Sequence, residues 1–531
     1  MKKNILFVFC ALFFVLCFPV LAQNTNTNNS AEKADGSISE GAVSDETIYV
    51  INSFNFNVDG YTRPYAIIYH AELKKGEEIK GLSGLNKYLR EKQQLLYNQR
   101  VFASIKVEHT IGDEQPDGKF PVDLVIHVKD TWNIMVIPRP KYDSNTGFDI
   151  TLKARDYNFL GTMSPLRLDV GYQYDKSKKG KHFVSTMLDS DIPFTLFDLN
   201  WNVDFDNYYN YRPNLDNPHY YRNNTGLSVE IPYKRTLFYV GFTESFFVNR
   251  ENPNRHKKEF GDLHEGLYMS TNPYASWKVP TGISYYDLGE VNYTPSLSAT
   301  FVHEFPRWPL PDFRKGPSIT FSHNLTFGRI NWVGNFQSGI TARIGHSVNY
   351  NFYKLRNDLQ PWNTNISIKL TGHKKLNDFI GFSSRIMYNH YFLEDYDDTV
   401  GEALRGVLDN RIKANYMLAF NFDMPFRIFK FRPSNWKVKN EKFHKFLSVF
   451  DFDFHAGPFV DIALYNYNVS DDIKNQKVFG MENLLLGSGL EVIIFPERWR
   501  SLFLRVSVAL NLSPGVKPNR AEIYIGTELH Y

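Results

Sequence analysis

From about residue 131 to the C-terminus the chain alternates apolar and polar residues with period two, in runs of about ten. No other feature restricts its fold as much. In LNWNVDFD, Leu199, Trp201, Val203 and Phe205 fall on one side and Asn200, Asn202, Asp204 and Asp206 on the other. SITFSHNLTF sets Ile319, Phe321, Leu325 and Phe327 against Thr320, Ser322, Asn324 and Thr326. ITARIGHSVNYNF and LFLRVSVALNL (residues 340–352 and 502–512) repeat the pattern. A soluble sandwich also alternates. Here the second face is strongly polar, the runs are long, and aromatics recur at their ends.

In hydrocarbon every backbone N–H and C=O must be paired within the protein, so only helices and closed barrels span a bilayer. After the first 22 residues no apolar run approaches spanning length, and mean hydropathy is −0.37. A helical membrane protein is therefore excluded. Aromatics make up 16% of the chain, with 44 Phe and 32 Tyr, enough for two interfacial girdles around a barrel. The expected fold is a transmembrane antiparallel β-barrel over 131–531. The roughly 400 residues, at about 25 per strand and connection, predict about 16 strands.

The chain opens MKKNILFVFCALFFVLCFPVLAQ: two lysines, an apolar run from Ile5 to about Leu21, then Ala22. This reads as a secretory signal peptide over 1–22 rather than an anchor, because the run is short and a polar stretch follows at once. Phe9 and Leu16 precede the two cysteines, which does not fit a lipoprotein site. Both cysteines fall in this segment, so the mature chain has no disulfide or thiol chemistry. Residues 23–46 are Asn, Ser, Ala, Gly and acid, and read as a disordered linker.

Residues 47–130 read as a small α+β domain in the order strand, helix, helix, strand, strand. Its helices are expected over about Pro64–Leu73 and Leu82–Gln99. Its last strands are RVFASIKVEHT and FPVDLVIHV, joined by the turn GDEQPDGK.

LLYNQRVFASIKV and VDLVIHVKD resemble the helix-to-strand signature and closing strand of a POTRA domain. With the barrel behind it, the whole chain after the linker resembles the outer-membrane protein assembly factor superfamily, the BamA/TamA-like bacterial surface antigen barrels. ARDYNFLGTMSPLRLDVGY (154–172) resembles that family's first barrel hairpin. ALRGVLDNR (403–411) contains an Arg-Gly pair resembling the tip of its long sixth external loop, with Val407 where the family prefers an aromatic. GPFVDIALYN (457–466) resembles the strand carrying Phe-x-Asp, with Ala463 where the family has Gly. The resemblance implies a lumenal set of Arg405, Gly406, Phe459 and Asp461, in which the loop folds inward and Arg405 meets Asp461. Period two agrees: with Val460, Ile462 and Leu464 outward, Phe459 and Asp461 face the lumen. A guanidinium fork matches a carboxylate with two parallel hydrogen bonds. The last residues, AEIYIGTELHY, place Gly526, Leu529 and Tyr531 in a pattern resembling the C-terminal insertion signal of such barrels. Ile523, Ile525, Leu529 and Tyr531 are expected outward.

The basic stretch RIFKFRPSNWKVKNEKFHK (427–445) is expected as a solvated periplasmic turn between the twelfth and thirteenth strands. Net charge is +3, which gives no argument for nucleic acid. No G-x-S-x-G, H-E-x-x-H or phosphate-cradling loop occurs, so neither enzyme chemistry, nor a metal, nor a cofactor is expected. The resemblance implies insertion or translocation of other proteins at the bacterial outer membrane, with the small domain in the periplasm. It also implies unfolded protein clients, membrane lipids and periplasmic accessory proteins as partners. A secretion channel dedicated to one client and a passive structural pore remain open alternatives.

Overall fold

The structure is a computed structural model describing residues 46–143, 147–175, 181–213, 218–248, 266–284, 289–304, 315–392, 398–399, 403–407, 413–437, 439–466, 483–514, 521–526 and 529–530. The expected signal peptide and nearly all of the expected linker lie outside the described residues, as does Tyr531.

The first six elements are β1 (Ile48–Asp59), α1 (Pro64–His70), β2 (Glu78–Lys80), α2 (Gly81–Asn98), β3 (Phe102–Ile111) and β4 (Lys119–Asp130). They form a four-stranded sheet in the order β2-β1-β4-β3 with two helices. The three-residue β2 is an addition to the sequence reading. It is too short to show a period.

The alternating segments then form β5 (Ile134–Asp143), β6 (Gly147–Asp156), β7 (Leu166–Asp175), β8 (Lys181–Leu196), β9 (Leu199–Tyr211), β10 (His219–Tyr233), β11 (Thr236–Val248), β12 (Leu267–Ser284) and β13 (Glu290–Glu304). They continue as β14 (Ser318–Val333), β15 (Phe336–Asn351), β16 (Trp362–Lys375) and β17 (Gly381–Phe392). The strand β18 has two segments, Tyr416–Asp423 and Phe426–Phe431, broken around Pro425 and both paired to the next strand. The last four are β19 (Phe452–Asn466), β20 (Leu484–Pro496), β21 (Leu504–Asn511) and β22 (Ala521–Gly526). Each strand pairs antiparallel with the next, and β22 neighbours β5 to close the barrel.

Among the described residues the barrel has 18 strands, two more than expected. The reason is local. Two-residue hairpins join β8 to β9, β10 to β11 and β14 to β15, with positive φ at Phe197, Asp198, Lys234 and Gly334. Such turns follow the strand twist and shorten the chain used per strand.

The alternation is turned inside out relative to a soluble protein. Leu168, Val170, Val240, Phe242, Phe321 and Ile344 are exposed on the outer surface, while Lys153, Arg155, Arg385, Asn421, Asp461 and Arg505 are buried inside. An apolar belt of this extent is satisfied in hydrocarbon rather than in water. Among the described residues no helix is long and apolar enough to cross a membrane.

The chain falls into two compact units, and their boundary runs through β1, α2, β3 and β4. Among the described residues one unit holds 46–53, 75–91 and 109–124. Within it Tyr49, Ile51, Leu85, Val122 and Leu124 are buried, and Asp123 accepts hydrogen bonds from Asn52 and Ser53.

The other unit joins 54–74 and 92–108 to the whole barrel. Its apolar cluster includes Ile67, Leu96, Phe102 and Ile126, and also Met163 from the β6–β7 connection. That connection is the YNFLG stretch. Asn158 donates to Thr62 Oγ1 at 2.8 Å and to Asp130 Oδ2 at 3.3 Å. Asp130 also takes the amides of Tyr61 and Thr62, at 2.6 and 3.0 Å. Gly161, with φ +74°, sits where a Cβ would come within 2.2 Å of the Tyr61 carbonyl. At the end of α2, Asn98 pairs with Asn331 at 2.9 Å, and Arg100 lies 4.2 Å from the Trp332 ring.

Candidate functional site: a lumenal arginine clasp

Strand β19 alternates as the sequence reading requires. Asp453, His455, Phe459, Asp461 and Ala463 are buried inside, and Val460, Ile462 and Leu464 sit on the other face. Asp461 is fully buried. A carboxylate there is tolerable only with a cation and donors.

Arg405 supplies both. Its Nη2 donates to Asp461 Oδ1 at 2.7 Å and its Nε to Oδ2 at 2.9 Å. Its own backbone amide donates to Oδ2 at 2.7 Å. Three donors from one residue therefore saturate the inner side of the carboxylate. The guanidinium also lies 3.8 Å from the Phe459 ring centroid, so Phe459 forms the floor under the cation.

Two further acids share the guanidinium. Asp423 Oδ1 is 2.5 Å from Nη2, and Glu491 Oε2 is 3.2 Å from Nη1. Arg505 lies 3.8 Å from the same Glu491 oxygen. Arg385 completes the group: it donates to Asn421 Oδ1 at 2.9 Å and to the Ala403 carbonyl at 3.2 Å. Arg405 is thus paired with three carboxylates, Asp461, Asp423 and Glu491, and Arg505 shares the last of them.

Backbone geometry admits the loop. Gly406 has φ +83°, open to glycine at little cost, and a Cβ there would lie 2.9 Å from the Leu510 carbonyl. Gly487 pairs directly with Asp461 across the ladder. Any side chain at 487 would place its Cβ 1.9 Å from the Arg405 carbonyl. Small residues do the rest: Leu404 and Val407 pack with Ala403, Ala414, Ala419 and Ala463 in one buried cluster.

The inward placement of Arg405, Gly406, Phe459 and Asp461 is what the resemblance implies. The loop's rank differs. With 18 strands, the connection between β17 and β18 is the seventh on its end of the barrel, not the sixth. Sequence reasoning misses Asp423, Glu491, Arg385 and Asn421. The available signal is a lone acid or arginine at an inward position of an otherwise apolar strand, as in YMLAFNFD and LLLGSGLEVIIFP.

The C-terminal residues depart from expectation. Ile523 is exposed outward and Gly526 ends β22, but Leu529 packs against the Trp332, Ile493 and Phe495 cluster inside the barrel. His530 follows it inward. Its carbonyl accepts from Arg385 at 3.4 Å, and its Nε2 is 3.8 Å from Asp461 Oδ2. Period two extrapolated from β22 to Leu529 gives the wrong face.

The basic stretch also differs. It joins β18 to β19, the fourteenth and fifteenth strands, and it is not a bare turn. Arg427 to Phe431 belong to β18, and a short helix α3 (Glu441–Leu447) follows.

The sequence matches no protein-family model and no curated protein. Among solved structures it is similar to BamA from Haemophilus ducreyi lacking POTRA domains 1–3, at 13% identity and a TM-score of 0.35 over 90% of this chain and 83% of that one. It is also similar to CdiB from Acinetobacter baumannii, at 12% identity and 0.44 over 90% and 73%. For CdiB from Escherichia coli the values are 11% and 0.40 over 96% and 94%.

Proposed function

We propose that this chain is an outer-membrane barrel of the assembly-factor kind, which inserts other proteins into that membrane or moves them across it. The observation that carries the reading is the clasp. Residues 403–407 of the connection between β17 and β18 sit in the lumen, held there by a buried Arg405–Asp461 pair. A passive pore does not need a loop tip locked to its wall by a buried ion pair. A barrel that must stay upright while its wall opens gains an internal brace.

Two other features support the same reading. The domain over 47–130, read as a POTRA domain in the periplasm, has the ten-residue β3 at the edge of its sheet. A free edge accepts an extended client segment by strand addition. The barrel closes between its first and last strands, β5 and β22, where Arg139 donates to the Ile525 carbonyl at 2.8 Å. That seam is the natural place for the wall to part. The action proposed is mechanical, with no catalytic group, metal or cofactor. Its partners are unfolded outer-membrane or secreted proteins and membrane lipids, with periplasmic accessory proteins joining at the POTRA domain.

Depletion of the protein followed by quantitative proteomics of the outer-membrane and secreted fractions tests this. Loss of many unrelated barrels establishes general assembly, and loss of one secreted protein establishes a dedicated translocator. Unchanged fractions would overturn the reading.

A further inference from the structure

The 428–450 excursion, from the end of β18 to the start of β19, is more than a connection. It carries six large exposed apolar side chains, Ile428, Phe429, Trp436, Phe443, Phe446 and Phe450. It also carries lysines at 437, 439, 442 and 445. Solvated turns do not usually gather exposed aromatics at this density.

The excursion is rigidly held, so the exposure is not the product of a loose loop. Asn440 caps α3 by accepting from the amides of Lys442 and Phe443, at 3.0 and 3.2 Å. His444 bonds the Ser434 carbonyl at 2.6 Å, and Asp451 takes the Ser434 amide at 3.0 Å. At the base, Arg432 bonds Asp453, and Glu497 at 2.7 Å. On this frame Phe443, Phe446 and Phe450 recur at the spacing of one helical face. Their rings form a row, 6.1 Å apart for the first pair and 5.2 Å for the second.

Other aromatics tie this stretch to the barrel's outer surface. Phe429 stacks on Phe454 at 4.9 Å, and Phe431 touches both Phe452, at 5.1 Å, and Trp436, at 5.8 Å. Ring contacts therefore run from the strand wall to Trp436, and the phenylalanine row ends at Phe450, two residues before Phe452 of the wall, with lysines beside it. We infer that the 428–450 excursion is an interfacial anchor that lies in the bilayer surface, its phenylalanines among acyl chains and its lysines on anionic phospholipid headgroups. Continuity with the lipid-facing wall assigns a lipid surface rather than a protein partner, and the four lysines assign the charge of that surface.

This rests on the membrane-spanning reading of the barrel, and the test separates the two. The full chain, with Cys10→Ser and Cys17→Ser, is given single cysteines carrying an environment-sensitive fluorophore and reconstituted into vesicles. The vesicles are phosphatidylcholine, alone or with phosphatidylglycerol, and contain nitroxide-labelled lipid. A label at Phe321→Cys on the strand wall reports the barrel itself, and one at Lys106→Cys on β3 reports water. Labels at Phe446→Cys and Phe450→Cys are expected to be quenched several-fold more than at 106, and more strongly with phosphatidylglycerol. Substituting Lys437, Lys439, Lys442 and Lys445 by Gln removes that dependence. If the label at 321 is quenched while 446 and 450 behave like 106, the anchor is refuted and the barrel stands. If 321 is also unquenched, the membrane reading fails. Quenching indifferent to phosphatidylglycerol would overturn the role given to the lysines.

Discussion

Arg405 and Asp461 lie 56 residues apart in sequence and are joined by three hydrogen bonds, two from the guanidinium and one from the arginine's own amide. The loop tip and the strand wall are thereby locked in one register. Removing one partner leaves a buried charge uncompensated, at a cost of about 3–5 kcal/mol. Arg405→Ala is therefore expected to lower the unfolding temperature of the barrel in a gel-shift assay. It should also expose a cysteine placed at Val407, buried in the parent, to maleimide.

The charge swap is expected to fail in part. In Arg405→Asp with Asp461→Arg, the carboxylate introduced at position 405 meets Asp423 and Glu491, which stay where they are. The double variant should recover some of the loss of each single variant, and adding Asp423→Asn should recover more. Recovery in full by the simple swap would mean that Asp423 and Glu491 contribute nothing to the clasp.

Gly487→Ala tests the packing without touching charge. Its Cβ would fall 1.9 Å from the Arg405 carbonyl, so the tip must move. The expected cost is about 1–3 kcal/mol, with Val407→Cys again becoming reactive. Gly76→Ala, where nothing lies within 4 Å of a new Cβ, is not expected to change that labelling.

The docking of the 61–63 segment depends on Asn158. Asn158→Ala removes donors to Thr62 and Asp130 and is expected to cost about 1–3 kcal/mol locally. Hydrogen exchange should rise at the Tyr61 and Thr62 amides and stay unchanged in β14 and β15.

His70 makes a neighbouring contact pH-dependent. Its ring nitrogen lies 3.0 Å from the Thr162 carbonyl, and burial holds its pKa below the ordinary histidine value of 6.5. A lowered histidine pKa gives stability that is fully present above the unfolded value and is lost as pH falls. Protection of the 62–71 backbone, corrected for intrinsic exchange, should therefore weaken as pH drops through about 6.5. His70→Gln should flatten that profile.

The strand wall was legible in the sequence because period two is a local property and each strand states its own two faces. The Arg405–Asp461 pair was legible only jointly, since nothing near Arg405 in sequence says where the loop goes. Asp423, Glu491 and Arg385 were legible only as lone charges at inward positions, and that mark does not distinguish a lock from a wetted wall. Leu529 and His530 face inward, where the Trp332 cluster and Arg385 offer them partners that no local pattern announces. The strand count depends on turn lengths, which the two-residue hairpins shorten.

On the proposed mechanism the wall between β5 and β22 opens for clients while the clasp keeps the barrel upright. Arg139 on β5 donates to the Ile525 carbonyl of β22 at 2.8 Å and lies 5.1 Å from the Tyr524 ring, so positions 139 and 524 neighbour each other on the lumenal face of that seam. Cysteines at 139 and 524, joined in cells by a short bis-maleimide, would lock it. The quantity to follow is the rate at which newly made outer-membrane and secreted proteins reach their folded, protease-resistant state, with the locked barrel as the only copy. Locking is expected to stop this while the barrel itself remains folded and clasped, and a cross-link between β14 and β15 is not. Client maturation at the normal rate through a locked seam would rule out lateral opening.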